Sequence, residues 1–94
     1  MARYTVRVEL HRHQPGDHDV LHAEMAAQGL ERTIADSSGK VLHLPTAEYN
    51  FDGSVEDRQE ILRRAQSAAT NVVRPFEILV TQSAGRTWLN LKPA

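Results

Sequence analysis

The sequence predicts an α+β sandwich in the order βαββαβ with one further strand at the C-terminus. Three observations carry that prediction. Tyr4, Val6, Val8 and Leu10 alternate strictly with Thr5, Arg7, Glu9 and His11, the period of a half-buried strand. Ile61, Ala65, Ala68 and Val72 recur at helical spacing. Between them, Glu31 to Phe51 reads as two strands around a polar tip, Asp36-Ser37-Ser38-Gly39.

The first strand carries a polar outer face and ends in a loop, Arg12 to Gly16, punctuated by Pro15-Gly16. Asp17 is placed as the N-cap of a helix running to Gln28, with Asp19 favouring its first turn. Gly29 supplies the left-handed residue that commonly follows a helix end. The apolar face of this helix, Val20, Leu21 and Met25 among alanines, is diffuse.

In the hairpin, Asp and Ser hydrogen-bond nearby backbone, and Gly39 accepts a positive φ at low steric cost. A tip of this length suits closure by a bulge. After it, Leu42 and Leu44 share one face, whereas Ala47, Tyr49 and Phe51 have the opposite parity. A one-residue slip flips a strand's faces, and Pro45 has no N–H for a ladder, so a bulge or break is expected near Pro45-Thr46.

Asp52-Gly53 turns the chain, and Ser54 to Asp57 reads as a capping box for the second helix. Glu56, Glu60, Arg63, Ser67 and Thr70 oppose its apolar stripe. Arg74-Pro75 closes the connection, and Phe76 to Thr81 is rich in strand formers. Ser83 to Arg86 forms a turn, and Thr87 to Leu91 is expected as the last strand. Right-handed crossovers then give a ferredoxin-like split-βαβ layer with both helices on one sheet face and the other face open.

Ninety-four residues correspond to one domain, residues 1–94, too small for a deep enclosed site. A formal charge of −1 provides no global pull towards nucleic acid, so an RNA binder needs a local basic patch. Nine of the eleven basic residues are arginine, the side chain suited to bidentate phosphate contacts. The absence of cysteine excludes disulfides and thiolate metal sites. A strand beginning almost at Met1 leaves no room for a signal peptide, and no apolar run approaches spanning length. A cytoplasmic protein with no membrane partner is the expectation.

Four of the five histidines, His11, His13, His18 and His22, fall within twelve residues. Two pairs at ligand spacing are present, but strand alternation puts His11 on the face away from the helices. A joint metal site is therefore not expected, and no cofactor is implied. Arg7, Glu9 and His11 share the outer face of the first strand, with Arg32 a candidate neighbour. A histidine there can act as base towards an RNA 2′-hydroxyl while arginine stabilises phosphorane charge; a solvated strand face accounts for the same residues. His22 is a second candidate base, set against an ordinary helix-surface residue. Tyr49 and Phe51 read as core, and Trp88 as a half-exposed anchor for a partner.

Tyr4-Thr5-Val6-Arg7-Val8, the helix ending in Met25…Gly29-Leu30, and Ile34-Ala35-Asp36…Gly39 with the interrupted strand together resemble the GhoS family. These are antitoxins of type V toxin–antitoxin systems with a Cas2-like ferredoxin fold. The resemblance spans nearly the whole chain in length and element order. It implies an endoribonuclease that cleaves a toxin's messenger RNA; on that reading His22 or His11 would transfer protons and Arg7 and Arg32 would hold phosphate. The chain departs from the family at His22, where an ungapped count from Ala35-Asp36 lands on a functional arginine of the family. Cas2 nucleases carry a metal-binding Asp at the end of the first strand; Val8-Glu9-Leu10-His11 has none, so metal-dependent cleavage of that type is not expected. A second functional class remains open, a non-catalytic module that dimerises or binds a protein through its open sheet face or an edge strand.

Overall fold

The central strand of the computed structural model, which describes residues 2–94, is β1 (Ala2–Leu10). Ala2, Tyr4, Val6, Val8 and Leu10 are buried, while Arg3, Arg7 and Glu9 project from the other side. β1 pairs antiparallel with β4 (Glu48–Gly53), from Ala2↔Gly53 to Arg7↔Glu48, and with β5 (Phe76–Gln82), from Tyr4↔Gln82 to Leu10↔Phe76. The sheet order is therefore β4-β1-β5. Cross-strand partners share a face, so Tyr49, Phe51, Ile78 and Val80 join the buried side of β1.

Two helices, α1 (Asp17–Ala27) and α2 (Arg58–Thr70), contribute to the core on that side. Leu21 and Met25 from α1 meet Ile61, Ala65, Ala68 and Ala69 from α2 in one cluster with the sheet. Each of the large aliphatic side chains, fully removed from water, contributes about 1.5–3 kcal/mol of transfer free energy. Alanines let the helices approach closely. The element order β-α-β-β-β-α-β makes this an α+β fold with ferredoxin-like elements.

The hairpin β2 (Thr33–Ala35) and β3 (Val41–His43) forms a sheet of its own. It meets the main sheet through one bridge, Glu31↔Asn50, whose two backbone hydrogen bonds are 2.9 and 2.7 Å long. The expected interruption is present. β3 ends at His43, β4 begins at Glu48, and Ala47 between them has φ 78°. Its consequence is the change of parity inferred from the sequence: Leu42 and Leu44 pack with Ile34 and Leu91 in a small second core, whereas Tyr49 enters the main one.

Three local expectations are corrected. The residue capping α1 is Gly16, at φ 90°, and Asp17 lies in the first turn. The Asp17 carboxylate accepts from the Gln14 N–H at 2.7 Å and from Arg74 Nε at 2.8 Å, tying the β1–α1 loop to the α2–β5 connection. In α2 the cap is Asp57, which accepts from the Gln59 N–H at 2.8 Å, so Ser54 to Asp57 does not act as a capping box. Thr87 to Leu91 is not a strand. Asn90 turns the chain with φ 62°, and pairing falls instead on its last three residues. The His43 N–H donates to the Lys92 carbonyl at 2.8 Å, and Pro93 bridges Leu42. The extra C-terminal pairing thus extends the hairpin sheet rather than the main one.

Candidate functional site

The base of the hairpin and the middle of α1 bring three polar side chains together. Leu21 faces the core, and the next helix position leaves His22 half-buried at its margin. Tyr49 is fully buried on β4, and its hydroxyl lies 2.6 Å from His22 Nδ1. Arg32 occupies the link between the Glu31 bridge and β2. Its backbone carbonyl accepts from the Leu44 N–H at 2.8 Å, and its guanidinium returns a bond to the Leu44 carbonyl at 3.0 Å. The other terminal nitrogen of Arg32 lies 2.9 Å from His22 Nε2.

A guanidinium only donates, so Nε2 of His22 is the acceptor and carries no proton. The proton of the neutral ring is then on Nδ1, which donates to Tyr49 Oη. Burial, first, and then the charge of Arg32 and the neighbouring His18 hold the His22 pKa below its ordinary value, with Asp19 opposing. Burial pushes the Tyr49 phenol up to about 12, despite the nearby guanidinium, so it stays protonated. The Arg32 guanidinium lies 5.9 Å above the Tyr49 ring, and its buried Nε has no hydrogen-bond partner among the described residues. His18 and His13 continue a row of imidazoles towards the β1–α1 loop, with successive ring centroids 6.3 and 4.6 Å apart.

Chemically, the cluster is a neutral base whose lone pair is covered by a cation that also recognises anions. An anionic oxygen drawing Arg32 towards itself would uncover Nε2 beside it.

Of the four residues singled out from the sequence, the structure brings together His22 and Arg32. His11 and Arg7 are on the outer sheet face, across the sheet from the helices. His11 Nε2 is 2.8 Å from Glu77 Oε1, and Arg7 is exposed beside Glu9, Glu77 and Leu79. The two candidate bases therefore lie on opposite faces of the sheet, and Arg32 is a neighbour of His22 rather than of Arg7, Glu9 and His11. Tyr49 was legible as core but not as the partner of His22. The available signal was that a buried tyrosine hydroxyl usually finds a hydrogen-bond partner.

The C-terminal segment partly covers the outer face. Arg86 donates to Asn50 Oδ1 at 2.7 Å and sits above Thr5, and Trp88, Leu44 and Leu91 help line a groove of about 420 Å³. Trp88 is 40% and Leu89 83% exposed.

No protein-family model and no curated protein matches this chain. No helix among the described residues is long and apolar enough to cross a membrane.

Proposed function

We propose that the chain is a GhoS-like antitoxin domain that binds single-stranded RNA at the His22–Tyr49–Arg32 cluster and cleaves it there. The supporting observation is the 2.9 Å contact between the Arg32 guanidinium and the unprotonated Nε2 of His22, a base and an anion ligand at one margin of the hairpin. Arg32 moves from the imidazole to the scissile phosphate. Nε2 then takes the proton of the adjacent 2′-hydroxyl as its oxygen forms the new bond to phosphorus. The P–O5′ bond breaks, the departing oxygen takes up a proton from the imidazolium, and a 2′,3′-cyclic phosphate remains. Tyr49 positions the ring by accepting from Nδ1. The His22 substitution at the family's arginine position changes which residue contacts phosphate, a role that passes to Arg32.

The test is cleavage of labelled single-stranded RNA by highly purified protein, with and without chelator, alongside His22→Ala, Arg32→Ala and Arg7→Ala. Chelator-resistant cleavage lost in the first two variants and retained in the third is expected. Equal cleavage by every variant, or neither binding nor cleavage with any RNA, overturns the reading. The exposed Trp88 and Leu89 support a second reading, a non-catalytic module whose C-terminal groove or β5 edge meets another protein or a second copy. Sedimentation that shows concentration-dependent mass without RNA affinity would favour it.

A further inference from the structure

We infer that Glu9, His11 and Glu77 form a binding site for a divalent transition ion of the Zn²⁺ type, on the sheet face opposite His22. Glu9 and His11 are two residues apart on one side of the first strand and its extension, and the register of β1 with β5 puts Glu77 directly across from Glu9. One donor atom from each of the three residues falls within a sphere of contact in which all separations are at most 4.8 Å. His11 Nε2 and Glu77 Oε1 are already 2.8 Å apart. Tetrahedral bonds of about 2.0–2.1 Å place neighbouring ligands roughly 3.3 Å apart, so the two side chains need to separate by about half an ångström. Both are solvent-accessible, with His11 43% and Glu77 75% exposed, and are free to do so.

The charge arrangement within the cluster suits a cation. Glu9 and Glu77 are like charges in direct cross-strand opposition, an arrangement that destabilises a ladder unless something positive lies between them. Arg7 lies on the same face two residue pairs along the strand, opposite Leu79, and lines the same shallow depression as Glu9 and Glu77. The backbone of His11 is held in place by its N–H, which donates to the Pro75 carbonyl at 2.8 Å, so the imidazole has a defined origin on the face. A neutral imidazole nitrogen and two carboxylates suit Zn²⁺ and related ions, and three protein ligands leave a coordination position for solvent.

This site is independent of the RNA reading and does not share a residue with the His22 cluster. Its test is calorimetric titration of chelator-stripped full-length protein with ZnCl₂, repeated on His11→Ala and Glu77→Gln, with His13→Ala as the control histidine. The expected result is one ion per chain, with affinity weakened roughly tenfold or more in the first two variants and unchanged in the control. A thermal shift that follows the same pattern would support it. No binding by the wild-type chain overturns the proposal. So does equal binding by wild type and His11→Ala, which would place the ion on the His13–His18 row instead.

Discussion

Tyr49→Phe isolates a single hydrogen bond at the centre of the candidate site. The substitution keeps the fully buried ring and its packing, so no cavity is created. It removes the acceptor 2.6 Å from His22 Nδ1 and leaves that N–H unpaired at the edge of the core. An orphaned buried donor costs about 1–3 kcal/mol, and the half-buried position of His22 puts the loss near the lower end, about 1–1.5 kcal/mol. For a domain of this size each kcal/mol lowers Tm by roughly 4–8 °C, so a fall of roughly 4–12 °C is expected. Urea unfolding near pH 8, where His22 is neutral in both states, measures the free energy; an unchanged m-value would show that only stability moved. Nitrogen NMR of the imidazole supplies an independent reading, because the wild-type ring should be the Nδ1–H tautomer. The reasoning is refuted if Tyr49→Phe has wild-type stability, or if the wild-type ring carries its proton on Nε2, since Arg32 then has no lone pair to approach.

Three further outcomes follow from the same geometry. Folded His22 binds its proton less readily than in the unfolded chain, so the unfolded state holds more protons over the interval between the two pKa values. Its contribution to stability is therefore complete above about pH 6.5 and is lost as pH falls through the depressed folded value; His22→Gln should flatten the slope of stability against pH in that window relative to wild type. Asp57→Ala should destabilise the protein by about 0.5–2 kcal/mol through loss of the α2 cap, while Ser54→Ala should be nearly silent in the same urea titration. Ala68→Leu, inserted where the helix is 1% exposed, should cost about 1–3 kcal/mol by overpacking, seen as an earlier unfolding midpoint.

Much of the fold was legible because its main elements announce themselves locally. Strict alternation from Tyr4 to Leu10 needs one buried face, and the Ile61–Ala65–Ala68 stripe needs a helix, whatever surrounds them. The parity change between Leu44 and Tyr49 even located the break that divides the two cores. Caps and the C-terminal segment were less legible. Ser54 and Asp57 are both good caps by type, and only the path of the chain decides which carboxylate or hydroxyl reaches a free N–H. The run from Thr87 to Leu91 has strand composition, yet the turn at Asn90 prevents it from extending as one.

By itself the sequence determined the class of fold, the sidedness of β1 and the presence of His22 and Arg32 as candidate polar residues, because these follow from periodicity and residue chemistry within a few positions. What lies across space was decided by tertiary structure. The hairpin's return puts Arg32 on His22, and Tyr49 becomes that histidine's partner, while the β1–β5 register sets Glu77 against Glu9 and His11. Each of these neighbours is separated in sequence by ten or more residues, and local propensity contains no information about which strand pairs with which or in what register. The sheet separates His22 from His11, so the two candidate bases named from the sequence lie on opposite faces.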